Sequence, residues 1–144
     1  MAVAVRNGQR LDALSHPAVV AEDAGAVVGV VTYDIVGQAC EISTLFADEK
    51  QWTGVGTTLL AEVAEIAYRS GCAYCWVVTT NDNVDGLRFY QRRGFRLARI
   101  RPGAVDEARR TLKPEIALVG NYGIPIRDEI ELEQQLPWQP PGAG

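Results

Sequence analysis

The sequence is poor in the residue types that most often carry metal and redox chemistry. Among 144 residues it has one histidine, His16, one methionine, and three cysteines, Cys40, Cys72 and Cys75. Cys72-Ala73-Tyr74-Cys75 has the C-x-x-C spacing of redox and zinc sites. A redox pair needs a helix start, where the dipole lowers a thiol pKa; here the pair runs into the apolar Trp76-Val77-Val78. A zinc centre needs further ligands, which one histidine does not supply. The thiols read as buried packing groups, and no metal site is expected. Long apolar runs are also missing. The longest are about five or six residues, well short of the roughly 18 that cross a bilayer. The first thirty residues carry Arg6, Arg10, Asp12, Glu22 and Asp23 between short apolar pieces, so no secretory leader is legible. No membrane partner and a cytoplasmic location are expected.

An excess of positive charge is absent as well. Lys and Arg number 14 against 18 Asp and Glu, a net charge of −4. That balance, with no aromatic–basic RNA motif, argues against nucleic acid as a partner. Arginine is nonetheless concentrated between positions 88 and 110, at Arg88, Arg92, Arg93, Arg96, Arg99, Arg101, Arg109 and Arg110. This run reads either as a solvated face or as a local anion site.

What the chain does contain is enough apolar material for one core: 47% hydrophobic against 22% charged residues. Residues 1–136 are expected to form a single domain, and Pro137-Trp138-Gln139-Pro140-Pro141-Gly142-Ala143-Gly144 a loose tail. Val-rich segments at Ala18–Glu22, Ala26–Ile35 and Ala39–Phe46, joined through Asp23-Ala24-Gly25 and Val36-Gly37-Gln38, predict an antiparallel meander. Ala2 to Val5 is a stub strand before it. The period then changes. From Thr57 to Ser70, Leu59, Leu60, Val63, Ile66 and Ala67 share one helical face, with Glu62, Glu65 and Arg69 opposite. A strand follows at Ala73–Thr79. The polar Thr80-Asn81-Asp82-Asn83 cluster then suits a helix cap, and that helix runs to Arg93 before Gly94. A strand at Phe95–Arg101, a short helix at Val105–Leu112 and a strand at Arg127–Leu136 complete the order. The first helix must join two strands as a parallel crossover. A mixed α/β sheet with helices on its faces is the expected fold.

Two motifs carry chemistry. Gln51-Trp52-Thr53-Gly54-Val55-Gly56-Thr57-Thr58 lies between a strand and an amphipathic helix. Glycines there let backbone N–H groups turn toward a ligand, and the helix start favours an anion such as pyrophosphate. The segment lacks the G-K-[ST] of a P-loop and the full G-x-G-x-x-G of dinucleotide folds. A tight turn with no ligand is the plainer reading. The second motif is Asn83-Val84-Asp85-Gly86-Leu87-Arg88-Phe89-Tyr90-Gln91-Arg92-Arg93-Gly94-Phe95. Its Asp85-Gly86 and its aromatics also fit a turn and an ordinary core.

Together the two motifs resemble the GNAT superfamily of acetyl-CoA-dependent N-acetyltransferases. That family carries [Q/R]-x-x-G-x-[G/A] at a strand–helix junction, followed later by N-x-x-A-x-x-x-Y-x-x-x-G-F. Both are matched in order here, with Gly86 where the family usually has Ala. The stretch Gly123 to Leu132 resembles a bacterial branch of the family, and the likeness covers residues 18–136. It implies a GNAT-like sheet in which acetyl-CoA, the acetyl donor, lies at a chain-order switch point, the usual ligand crevice. It also implies cofactor contacts from Leu45, Phe46 and Ala47, from Gln51, Trp52, Thr53, Gly54, Val55, Gly56, Thr57 and Thr58, and from Asn83 and Phe89. A strand N–H near Leu45 to Ala47 would hold an oxyanion. Tyr90 stands at the family's general-acid position and Glu41 is the candidate base. Some of Arg88, Arg92, Arg93 and Lys50 would meet the 3′-phosphate. The expected acceptor is a small-molecule or peptide amine. The family usually has a strand and one or two helices before the meander, whereas 17 residues precede Ala18 here. The first strand and helix are therefore expected to be shortened or missing: either the start of the sequence is truncated or a second subunit walls the acceptor site, and a homodimer is the expected assembly. A non-catalytic acyl-CoA-binding domain is the alternative.

Overall fold

The computed structural model describes the backbone of residues 2–7, and residues 16–48 and 54–139 in full. Among the described residues seven strands appear in chain order: β1 (Ala2–Asn7), β2 (Pro17–Asp23), β3 (Ala26–Val36), β4 (Ala39–Ala47), β5 (Tyr74–Thr80), β6 (Arg96–Arg101) and β7 (Glu129–Gln135). Helix α1 (Val55–Arg69) lies between β4 and β5, α2 (Val84–Arg92) between β5 and β6, and α3 (Ala104–Thr111) between β6 and β7. The strands hydrogen-bond in the order β1-β2-β3-β4-β5-β7-β6. This is the expected mixed sheet, with two additions: β1 runs two residues past the stub, and a short 3-10 turn occupies Asn121–Gly123.

Contacts gather the described residues into two compact units, one holding the chain up to Trp76 with Gln135–Gln139, the other Val77–Gln134. In the first, β1 to β4 form the antiparallel meander. The parallel crossover follows from a bond between strand starts: Ala73 N, just before β5, donates to Gln38 O, just before β4, at 2.7 Å. α1 packs on β2, β3 and β4. It buries Val55, Leu59, Leu60, Val63, Ala64 and Ala67. The helix begins two residues earlier than its apolar period, because Val55 itself is fully buried. Ile66 ends up half-buried and Ala64 takes its place in the core. The helix comes close because β3 has Gly29 beneath it. A Cβ there would stand 2.6 Å from Val55 Cγ1 and 2.9 Å from Leu59 Cδ1.

The second unit is held differently. β6 and β7 pair antiparallel, and Asn81 N, just past β5, donates to Asp128 O, just before β7, at 3.1 Å. Strand end meets strand start, so these two run antiparallel. Val77, Tyr90, Phe95, Val105 and Leu132 are its buried apolar side chains, while β6 is exposed along its whole length.

Candidate active site

β4 is the first site element. Thr32 pairs with Thr44 but Tyr33 with Ile42, so Ser43 is an extra residue with no partner on β3. Such a bulge bends a strand and re-aims its neighbours. Beyond it Leu45, Phe46 and Ala47 pair with Val31, Val30 and Gly29. Phe46 is 55% exposed, an unusual position for a large apolar side chain on a strand.

The glycine turn is the second. Gly54 has φ 89, a left-handed conformation that favours glycine. A Cβ on it would meet nothing within 4 Å, so backbone conformation rather than crowding demands glycine here. Gly54 O accepts from Thr58 N and from Thr58 Oγ1, both at 3.0 Å. No side chain caps α1, and no acidic residue sits in its first turn. Val55 and Gly56 are buried, Thr57 is half-buried and Thr58 exposed. Gln51, Trp52 and Thr53 lie outside the described residues, as does Lys50.

The polar cluster after β5 is the third. Asn83 caps α2: its Oδ1 accepts from Gly86 N at 3.0 Å, and its Nδ2 donates to Thr79 Oγ1 at 2.8 Å. The cap explains Gly86, because a Cβ there would run into the Asn83 amide. Asn81 Oδ1 accepts from Arg127 N and Asp128 N at 2.9 and 3.0 Å, and its Nδ2 donates to Pro125 O at 2.9 Å. Asp82 is 5% exposed. Burial pushes its pKa up. The Thr80 hydroxyl and the Asn121 N–H, which donate to its carboxylate at 2.5 and 3.0 Å, outweigh that and hold it below the ordinary value. Tyr122, left-handed at φ 59, donates its hydroxyl to Asp85 at 2.7 Å.

α2 carries the aromatics. Tyr90 is buried edge-on to Phe89 and Phe95, with ring centroids 5.3 Å away in each case. Burial pushes its phenol up to about 12. The Arg93 guanidinium lies 3.7 Å from the centre of the Phe89 ring and donates to Phe89 O at 2.9 Å. Asp85, Arg88, Phe89, Arg92 and Arg93 line an open cleft of about 500 Å³.

The family model described as the acetyltransferase (GNAT) family matches residues 4–95. The chain belongs to the GNAT family.

Among proteins of this kind, YdhI of Bacillus subtilis (strain 168) is 46% identical over 121 residues, spanning 84% of this chain and 74% of that one. YxbD of the same organism is 41% identical over 114 residues, spanning 79% and 70%. A solved GNAT acetyltransferase from Elizabethkingia anophelis with acetyl-CoA bound aligns with a TM-score of 0.77 at 19% identity, covering 94% of this chain and 97% of that one. An IAA acetyltransferase from Bacillus cereus gives 0.77 at 23%, covering 94% and 99%. At these identities the structures share the GNAT fold.

Within that fold the arginine run resolves mostly into pairs. Arg101 reaches Glu131 at 2.8 Å and Glu129 at 3.8 Å, and Arg99 reaches Glu131 at 3.7 Å. Arg110 pairs with Glu107, and Arg88 with Asp85 at 3.5 Å. Arg109 pairs with Asp106 and donates to Ile116 O, Ala117 O and Ile126 O. Arg88, Arg92 and Arg93 are the three that share the cleft.

The three cysteines are free and buried. A hydrogen bond with Cys75, burial, and the nearby charges of Asp34 and Glu41 push the Cys40 thiol far up, so it is inert as a nucleophile. Among the described residues no group of His, Cys, Asp and Glu could hold a metal ion, and no helix is long and apolar enough to cross a membrane.

Glu41 lies directly opposite Asp34 on β3, and Asp34 Oδ2 is 2.6 Å from His16 Nδ1. Sequence reasoning missed that pairing, the buried role of Asp82 and the Tyr122–Asp85 bond. The one advance signal was the density of Asn and Asp at 81–85.

Proposed function

We propose that this GNAT member is a cytoplasmic N-acetyltransferase, with residues 1–136 as its catalytic domain. It moves acetyl from acetyl-CoA to a primary amine by direct attack in a ternary complex. One observation carries the reading: a bulged strand leads into a left-handed glycine turn, and the helix it starts has neither a side-chain cap nor an acid in its first turn. Open space beside Gly54 and the positive helix end fit an anionic pyrophosphate. The described part of the cradle is Gly54 to Thr58, and Gln51 to Thr53 belong to the same proposal. Asn83 keeps a second amide hydrogen beyond its bond to Thr79, which suits it to the pantetheine arm. Phe89 adds an aromatic surface.

Acetyl-CoA supplies the acetyl group as a thioester; the rest falls to the chain. Glu41 takes the proton that the ammonium must lose, through a water. A backbone N–H near Leu45 to Ala47 holds the carbonyl oxygen as it gains charge. The amine nitrogen bonds to the carbonyl carbon, the carbon–sulfur bond breaks, Tyr90 gives its hydroxyl proton to the leaving sulfur, and the second proton that the nitrogen sheds as the amide forms passes through water to restore the Tyr90 hydroxyl. A phenol raised to about 12 stays protonated at neutral pH and is able to donate.

Tyr90→Phe should cut turnover by roughly 10²–10⁴-fold with CoA affinity little changed. Calorimetry with CoA and free-thiol release in an amine screen read the two separately. The burial of Tyr90 between two rings favours a second reading, an acyl-CoA-binding module in which Tyr90 only packs. Full turnover in Tyr90→Phe would leave Tyr90 as a core aromatic of an active enzyme, and no turnover with intact CoA binding in the wild type would select the binding module.

The proposal includes a homodimer. β6, last in the sheet order, exposes Leu97 and Ile100 at 53% and 60%, and such apolar edges commonly find a partner. A monomer by light scattering at micromolar concentration would remove this part.

A further inference from the structure

Resting on the acetyl-transfer reading, we propose that a cross-strand row on the sheet face turned away from α1 seats the acceptor. His16, Asp34 and Glu41, with Thr32 beside them, take a cationic aliphatic amine that has no carboxylate next to its nitrogen.

The register builds the row. β2 and β3 pair with Ala18 opposite Thr32, which brings His16 level with Asp34, and the two side chains meet at 2.6 Å. β3 and β4 pair Asp34 with Glu41. Directly opposite residues of antiparallel neighbours project to one face, with Cβ atoms about 5 Å apart. Gly29 faces α1. Strand alternation therefore turns Thr32 and Asp34 to the other face, and Glu41 with them.

Like charges directly opposite each other destabilise a sheet. His16 engages Asp34, but among the described residues Glu41 is in no ion pair. The acidic pair alone would mark only a solvated edge. Thr32 supplies the second observation. It is 3% exposed, and its Oγ1 has no hydrogen-bond partner. A buried hydroxyl in that state costs about 1–3 kcal/mol, which a ligand N–H would relieve. Thr32 lies two residues before Asp34 on the same face. It pairs with Thr44, next to the Ser43 bulge. The row opens to solvent at its His16–Asp34 end, where the two side chains are 23% and 36% exposed, and Thr32 lies at its closed end.

An ammonium group fits this set. It donates to the Thr32 oxygen and, through a water, to Glu41 while the Asp34 charge holds it in place. Asp34 is a positioning residue, oriented by His16. The same two carboxylates repel an α-carboxylate, so a simple amine is accepted and the matching amino acid refused.

His16 is the only histidine in the chain, so its ring protons give a single proton NMR signature that needs no catalysis to read. Pentylammonium, norleucine and pentanol are the probes; norleucine is pentylamine with an added α-carboxylate. Saturable movement of the His16 signals with pentylammonium alone, lost in Asp34→Asn and weakened in Thr32→Val, is the expected result. Both variants are near-isosteric, and either one that folds suffices. No movement with pentylammonium, or equal movement with all three probes, overturns the proposal. In turnover, Asp34→Asn should raise KM for pentylamine about tenfold with kcat within about twofold; an unchanged KM also overturns it. Calorimetry with CoA separates the two readings. CoA binding without His16 movement removes the amine seat alone. His16 movement without CoA binding removes acetyl transfer and leaves an amine-binding site.

Discussion

The two units solve the same problem with different means. In the first, α1 lays an apolar face on three strands, and its buried residues are nearly all aliphatic. In the second, α2 and α3 bury little: Tyr90 is the one buried residue of α2, and Val105 of α3. Side-chain bonds to backbone hold that unit instead. Asn81, Asp82 and Arg109 together tie positions 116–128 through specific donors and acceptors. Apolar burial tolerates local change as long as volume is kept. A buried polar clamp does not, because removing one partner leaves the others desolvated and unpaired.

Single substitutions sharpen this contrast. Leu59, on the inner face of α1, is fully buried. Leu59→Ala should lower stability most, by about 3–4 kcal/mol, read as a fall in the urea midpoint at constant slope. Leu59→Met, which keeps volume, should cost less than about 1.5 kcal/mol. If the conservative swap costs as much as the cavity, burial is not what holds the first unit.

Asp82→Ala should cost the second unit about 2–3 kcal/mol, since it removes the acceptor for the Thr80 hydroxyl and the Asn121 N–H. Its pH signature follows from the lowered folded-state pKa. The contribution is present above the ordinary aspartate value near 4 and is lost as pH falls through the folded value. Unfolding measured from pH 6 downward should show a shallower decline in Asp82→Ala than in the wild type. An identical acid limb would mean Asp82 is not ionised in the folded protein.

At the alkaline end the sign reverses. Below pH 10 Tyr90 is protonated both folded and unfolded, and it adds no pH dependence. Between about 10 and about 12 the unfolded phenol ionises while the buried one does not, so stability falls as pH rises. The loss amounts to roughly 2 kcal/mol and should be absent in Tyr90→Phe, measured by thermal unfolding across that window.

The smallest effect belongs to the exposed arginines. Arg110→Ala breaks a solvent-exposed pair with Glu107 and should change stability by less than about 0.5 kcal/mol. A larger loss would show that the arginine run is part of the clamp.

Local chemistry was legible in advance. The apolar spacing of Leu59, Leu60, Val63 and Ala67 specifies α1 whatever lies beneath it, because a helix period needs only near neighbours. Asn83 was readable as a cap for the same reason: its partner is Gly86, three residues on. The boundaries moved where burial overrode the pattern. Val55 joined the helix and Ile66 surrendered its core place to Ala64, since the path of the helix over Gly29 set which side of it is covered.

The sequence by itself determined the alternation of strands and helices, the glycine at the β4–α1 turn and the cap of α2, all of which act across a few residues. Only the tertiary structure decided that β7 enters between β5 and β6, that Ser43 is the extra residue in β4, and that His16, Asp34 and Glu41 share one row. Strand order and register depend on hydrogen bonds between segments far apart in the chain, and a slip of one residue turns every side chain to the other face. No local pattern around Asp34 or Thr32 records which residue lies across from it; the fold alone brings these groups together.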